Sequence, residues 1–356
     1  MLRIQSKHGT TGPKVKSHQR EAYLDWAIIA LFNNSILLTI ALVMPPLAIL
    51  LPASLVLGFG FAMGVITVLH NAGHHRYSQR YWPNMLVVHS AVPVGLWVAH
   101  WTLKHRVHHK LPAAYPDDAF TQAGPLRLHP LAPHRPFHRF QHVYAWFLYP
   151  LAWAADMQSQ LRYLVTGEIS GLRSRPPASW RFSTFVLEKA AAAAILLPYV
   201  LLAHGIRLLL ALCVATLFTG LLVGCVVAIG HINVGLDYAV MNGSGRDWTA
   251  YVVATTASFS TDSRFLPWLT GGLTHHLAHH LRPLATRKEL HGLHSQMAGH
   301  GEIRPGLKVI EFQTLRAALH GHGTALKRLS LLPSPALSPE PGYAGSEAYS
   351  SPAGAQ

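Results

Sequence analysis

The chain has 356 residues, half of them apolar and only 12% charged, with a formal net charge of +14. A soluble domain carries about 25% charged residues, so this composition excludes an ordinary water-soluble globule and points to a membrane protein. The basic residues are scattered between apolar runs and form no patterned stripe or reading motif, which excludes nucleic acid as a partner and suits a basic face against anionic lipid.

Residues 1–25 are polar, carry Arg3, Lys7, Lys14, Lys16 and Arg20, and lack the short apolar core and small-residue cleavage site of a secretory signal. They read as a cytoplasmic arm. From Trp26 to His75 there is no Asp, Glu, Lys or Arg, a length of about 50 residues where one helical span needs about 20. Two spans joined at Met44-Pro45-Pro46 account for it, because proline is tolerated at helix ends and breaks interiors. Two shorter apolar stretches follow, Trp82 to Trp101 and Val143 to Ala155, which hydropathy alone leaves open. A single crossing at the first would separate the histidine clusters that flank it, so it reads as a re-entrant or interfacial helix.

A second uncharged tract runs from Ala190 to Leu236 with Arg207, beside His204-Gly205, as its only charge. It reads as a hairpin of spans near residues 184–204 and 208–230, with Glu188 and Lys189 near the cytoplasmic end, where long side chains snorkel. Cys213 and Cys225 fall in the same run, roughly 18 Å apart at about 1.5 Å per residue, too far to pair. The segment after Leu332 is rich in Pro, Ser, Gly and Ala without a basic residue and reads as disordered. The fold expected is all-α, with four transmembrane helices. An arm (1–25), a membrane domain (26–305), a C-terminal cytoplasmic segment (306–332) and a disordered tail (333–356) divide the chain. Lys and Arg crowd the arm, the middle segment and the C-terminal part before Leu332 but not the two short connections, so both termini and the middle segment are expected in the cytoplasm.

Histidine is the anomaly, with 25 copies. At the end of the second span stands His70-Asn-Ala-Gly-His74-His75; next comes Trp101-Thr-Leu-Lys-His105-Arg-Val-His108-His109; after the fourth span comes Gly271-Gly-Leu-Thr-His275-His276-Leu-Ala-His279-His280-Leu-Arg-Pro283. Spacings of three and four put side chains on one helix face, so His70 with His74, His105 with His108 or His109, and His276 with His279 or His280 can each share a metal. His231, in Gly230-His-Ile-Asn233, emerges at the same face as a fourth contributor. Imidazole alone does not name the metal, but eight or more clustered histidines exceed what one tetrahedral zinc uses, which favours two irons. His75 and His275 stay open between ligand and bystander. His89, His100, His129, His134, His138, His142, His204 and the C-terminal histidines read as packing or interfacial residues. Asp117 and Asp118 offer a carboxylate to orient a histidine, with a solvated turn the favoured reading.

These boxes resemble those of the membrane fatty acid desaturase and hydroxylase superfamily, H-x-x-x-H, H-x-x-H-H and (H/Q)-x-x-H-H. The stretch from Trp248 through Phe265-Leu-Pro-Trp-Leu-Thr-Gly-Gly-Leu to Pro283 is similar to the acyl-lipid and front-end branch, whose third box reads G-G-L-N-Y-Q-I-E-H-H-L-F-P. The resemblance covers about residues 25–300. It implies a helical cap on the cytoplasmic side holding a non-haem di-iron site, with His70, His74, His105, His108, His109, His231, His276, His279 and His280 as ligands. It also implies dioxygen as co-substrate and a lipid acyl chain as substrate, reached through a narrow apolar tunnel between the spans. His276 stands where that branch often has Gln, Ala278 where it has Glu and Arg282 where it has an aromatic residue, which bears on substrate and regiochemistry. No counterpart of the fused cytochrome domain is read at either end, so a separate ferredoxin or small haem protein is expected to supply electrons. Trp101 and Trp268, beside the boxes, read as interface anchors. A hydroxylase or ketolase acting on a lipid or carotenoid is the neighbouring alternative, and a membrane metal transporter the remoter one.

Overall fold

A computed structural model describes residues 13–333 apart from 123, 171, 174–175, 204–205, 239–246, 300–301 and 305–306. The beginning of the expected arm, His204 and the expected tail beyond Pro333 lie outside the described residues.

The chain begins with α1 (Pro13–Val43), which starts inside the segment read as an arm, and turns at Met44-Pro45-Pro46 into α2 (Leu47–Met63). A π-helical turn, Gly64–Leu69, carries α2 on into α3 (His70–Gly73). Two helices follow, α4 (Tyr81–Ala91) and α5 (Val98–Lys110), then α6 (Gln141–Leu148) and α7 (Ala152–Thr166) linked by a 3-10 turn. A small ladder of β1 (Glu168–Ile169) and β2 (Leu172–Arg173) precedes the second helical hairpin, α8 (Ala178–Leu202) and α9 (Ile206–His231). The rest is shorter: α10 (Trp248–Thr255), β3 (Ala257–Phe259), α11 (Leu266–Leu269), α12 (His276–Leu281), α13 (Arg287–Gly299), β4 (Glu302–Arg304), β5 (Leu307–Lys308), β6 (Ile310–Phe312) and α14 (Leu315–Leu331). The chain is therefore mostly helical. Three short strand pairs, β1–β2, β4–β5 and the parallel β3–β6, accompany the helices.

Among the described residues, four helical stretches are long and apolar enough to cross a membrane: Ser17–Val43, Leu47–Gly73, Ala178–Leu202 and Ile206–His231. The expected hairpins are these, each shifted by a few residues. Lipid tails are as apolar as leucine, so helix contacts between spans come from close backbone approach and hydrogen bonds. Both devices join α2 to α9. A Cβ on Gly58 would lie 2.5 Å from the Ala215 carbonyl oxygen, and the Thr219 hydroxyl donates to the Gly58 carbonyl at 2.9 Å. Asn33 of α1 donates to the Gly60 and Ala91 carbonyls at 3.0 and 2.8 Å, tying the first two spans to α4.

The stretch Trp82 to Trp101 is two helices and not one. Pro93 cannot donate a backbone hydrogen bond and Gly95 has a φ of 74°, so the chain turns between α4 and α5. Glu188 does not snorkel, because it is fully buried against that turn. At the far end α14 is fastened to α9: His322 donates to the Ile232 carbonyl at 2.6 Å through Nδ1 and meets the Tyr149 hydroxyl at 2.5 Å through Nε2.

Two measurements test this packing. Gly58→Val forces the α2–α9 backbones apart and is expected to cost about 1–3 kcal/mol, read as a lower melting temperature in detergent. Burial pushes His322 down to about 4, so the folded protein favours the neutral ring. The stability this confers is complete above about pH 6.5 and is lost as pH falls towards 4, at up to about 1.4 kcal/mol per unit. Melting curves between pH 7.5 and 5 should show a slope to which the other buried histidines add, and His322→Gln should make it shallower by this one group's share.

Candidate metal centre

The end of the second span and the end of α9 bring the histidines together. Each of the nine expected ligands falls into one of two sets: His70, His74, His105, His109 and His279, and His108, His231, His276 and His280. Within each set one nitrogen per ring lies within 4.8 Å of every other. Among the described residues these are the two groups with such geometry. The sets adjoin, with the His109 and His280 rings stacked at 4.4 Å between centroids.

Helix geometry decides who joins which set. Residues four apart lie nearly above one another, so His105 pairs with His109 and His276 with His280. The partners three apart, His108 and His279, rotate towards the other set. Both α5 and α12 therefore serve both sets, and neither set can shift without the other. Close approach is needed here too: a Cβ on Gly230 would stand 2.9 Å from His276 Nδ1.

The nitrogens are placed in a way that hydrogen bonding does not explain. His231, His276 and His280 have their Nε2 atoms 2.9, 3.1 and 3.1 Å apart, and the pairs His74–His105 and His109–His279 stand at 2.9 and 3.1 Å. Each imidazole Nε2 either carries one hydrogen or offers one lone pair, so a triangle of three can satisfy one bond at most. Two nitrogens at about 2.1 Å from a metal ion and at right angles lie about 3.0 Å apart. The cradle thus fits a cation and not an internal network. Nδ1 of His105, His109, His276 and His280 is buried without a hydrogen-bond partner, consistent with rings aimed by packing.

Charge state agrees. Burial, then mutual repulsion among neighbouring rings, holds His74, His105, His109, His276, His279 and His280 well below the usual imidazole range. A neutral ring is the form that donates a lone pair to a metal, and an all-imidazole donor set suits first-row transition ions over calcium or magnesium.

Two rings have their tautomer set from behind. His231 donates through Nδ1 to the Thr255 carbonyl at 3.0 Å, and His108 Nδ1 meets Asp118 Oδ2 at 2.8 Å. Asp118 is fully buried and also accepts from the Ala113 and Phe120 amides, which overturns the solvated-turn reading for it. Burial opposes its charge, but His108 and these hydrogen bonds hold the carboxyl below the usual range. The sequence signal was only Pro116-Asp-Asp-Ala, the ordinary signature of a turn. Trp101 is likewise no simple anchor: it stacks on His105 at 5.4 Å and 13° and lines the cavity beside the histidines. Trp268 packs on the core of the first two spans. His75 and His275 fall outside both sets, the former against Arg106, the latter against His291 and His294.

The cavity touching both sets has a volume of about 30 Å³. Its other walls are apolar: Val65 and Ile66 from the π turn, Val223 and Val227 from α9, Phe120 and Leu273. Space of about 10–15 Å³ on this measure holds one water, so the cavity admits a molecule of a few atoms and an alkyl chain enters only if these walls part.

Comparison with known proteins agrees with this chemistry. The chain is 30% identical over 245 residues to an sn-1 linoleoyl-lipid 6-desaturase of Arthrospira platensis, covering 64% of each chain. It is 28% identical to a protein of the same name from Synechocystis sp., over 64% of this chain and 66% of that one. An acyl-lipid (8-3)-desaturase of Physcomitrium patens is 27% identical over 64% of this chain and 49% of its own. The chain thus spans less than two thirds of the length of these relatives. A family model described as fatty acid desaturase matches residues 45–302, well over half of the sequence and including all three histidine boxes. The chain belongs to the fatty acid desaturase family.

Proposed function

We propose that this chain is an integral-membrane oxidoreductase that desaturates a lipid acyl chain, using dioxygen and two iron ions held by the nine histidines. His70, His74, His105, His109 and His279 would hold one ion and His108, His231, His276 and His280 the other. The observation that carries this reading is the pair of convergent imidazole sets sharing α5 and α12 beside an apolar cavity. An unactivated methylene C–H bond yields to no acid or base among the side chains, and a bound pair of irons supplies the oxidising chemistry needed with dioxygen.

The chain's own residues do the rest. The histidines would ligate and, with their lone pairs engaged by the ions, would not act as general bases. Asp118 and the Thr255 carbonyl each fix a ring so that Nε2 faces the metal. Val65, Ile66, Val223 and Val227 give the methylene groups an apolar wall and keep bulk water from the site. Conversion of one CH₂–CH₂ unit and one dioxygen to an alkene and two waters consumes two protons and two electrons. The electrons are assigned to a separate carrier, a ferredoxin or small haem protein. The catalytic unit is residues 26–305, with α14 packed on α9 as a support from the C-terminal segment.

The site and both termini are placed on the cytoplasmic side, for which the Lys and Arg distribution is the support. Outside the four spans, Phe140, Val143, Phe147 and Leu151 form an exposed apolar stripe at helical spacing along α6 and the turn after it, as expected of a segment lying in the bilayer interface.

Expression in a host of known lipid composition, followed by mass spectrometry of its acyl chains, tests the reaction. A product lighter by two hydrogens is expected; one heavier by an oxygen would make the protein a hydroxylase. His108→Ala should abolish the product, and full activity would contradict the ligand assignment. Asp118→Ala should leave the fold but lower iron affinity by about 10–100-fold, measured by chelator competition.

A further inference from the structure

Glu188 belongs to no histidine box and lies in a helix apolar enough to span the membrane, yet its carboxylate is fully buried. Isolating a carboxylate from water is costly unless donors surround it, and four do. Oε2 accepts from the Val98 amide at 2.6 Å and meets His89 Nε2 at 3.1 Å; Oε1 accepts from the Ala99 amide at 3.3 Å and from the Tyr81 hydroxyl. Val98 and Ala99 are the first two residues of α5, whose own N-cap, Trp97, provides no side-chain cap. The first amides of a helix have no partner within it, and a negative charge there also opposes the helix dipole favourably. Here that cap is delivered from α8, across the fold.

Two further contacts lie beside the cap without touching the first amides of α5. Thr184, one turn before Glu188, accepts from the Trp97 indole at 3.3 Å, and Lys189 donates to the Gly95 carbonyl. The other end of α5 is held by the Trp248 indole on the Lys110 carbonyl at 3.2 Å. Between these ends lie His105, His108 and His109, which supply both imidazole sets. A helix is stiff along its axis, and His105 is seven residues from Val98, roughly 10 Å at about 1.5 Å per residue. A shift or rotation at the N-terminus therefore reaches all three rings.

We propose that Glu188 is a positioning residue for the metal centre, fixing the axial position and rotation of α5 by capping it from α8. This rests on the reading of the histidines as iron ligands. Glu188→Gln keeps the side chain's shape but turns an NH₂ group towards groups that already donate, so the cap is lost without leaving a cavity. Thr184→Val breaks the neighbouring contact to Trp97 without touching the cap and serves as the control.

The test uses the full chain purified in lipid nanodiscs, with iron counted per chain, its Mössbauer spectrum recorded and amide hydrogen exchange followed at α5. For E188Q, iron affinity should fall about ten-fold or more, the spectrum should change and the amides of Val98 and Ala99 should exchange faster. T184V should melt at a lower temperature with its iron count and spectrum intact. Should E188Q not accumulate as folded protein, Tyr81→Phe, which removes one donor from the same carboxylate, should give the same signature at smaller amplitude. Unaltered iron binding and spectrum in E188Q, or in Y81F where that variant decides, would overturn the assignment. So would equal iron loss in T184V, which would mark a general loss of stability. A parent protein that binds no iron would instead remove the ligand reading itself.

Discussion

Nine imidazoles crowded into two sets, with the Nε2 atoms of five ring pairs only 2.9–3.1 Å apart, are the constraint around which the molecule is built. Charged, these rings would repel one another in a site with almost no water; neutral, they still leave lone pairs facing lone pairs. Burial settles the protonation question by pushing six of the rings outside the spans well below their usual range. The crowding itself has to be held by the scaffold. A ring cannot simply swing away, because backbone is pressed against it from behind, as at Gly230 against the His276 ring.

The scaffold meets that demand with polar clamps at the edge of the apolar region. Arg287 of α13, shortly after the third box, pairs with Asp25 of α1, and both Arg287 and Arg76 approach Glu21. Arg76 follows the first box directly and donates to Asn71 within it at 2.9 Å. Lys104, beside His105, pairs with Asp156 of α7 at 2.5 Å. Each box is thus tied to an element that contributes none of the nine histidines. Buried ion pairs add little net stability over a well-packed apolar contact, but breaking one leaves a charge stranded. They act here as fixed pins more than as sources of folding energy.

Much of this was legible in the sequence, and the boundary of legibility has a physical cause. Hydropathy marked the four spans because a bilayer requires long uninterrupted apolar runs, and histidine spacing marked eight of the rings because helix periodicity is a local property, while His231 was read from its place at the end of the last span. The division of those rings into two sets was left open, since three- and four-residue spacings are both compatible with a shared ion until the neighbouring helices fix each rotation. Asp118 and Glu188 were misread for a different reason. A carboxylate's partners are set by what folds against it, and in sequence Asp118 sits in an ordinary turn motif while Glu188 stands next to a lysine at a span end.

The π turn at Gly64–Leu69 shows how local irregularity and site geometry belong together. An α-helix continued without interruption from Leu47 would bring His70 round at a rotation set by 3.6 residues per turn; a wider turn inserts an offset just before the first ligand. The same turn presents Val65 and Ile66 to the cavity and packs against the Gly271 that opens the third box, where a Cβ would come within 2.8 Å of the Thr67 hydroxyl. One departure from regular helix therefore sets the direction of His70, supplies an apolar wall and seats the loop leading to His276. A substitution that restored regular winding there would have to disturb all three at once, and the glycine at its start, ordinary in backbone at φ −59° and ψ −44°, is required by closeness, since a Cβ on Gly64 would run into the Val92 side chain.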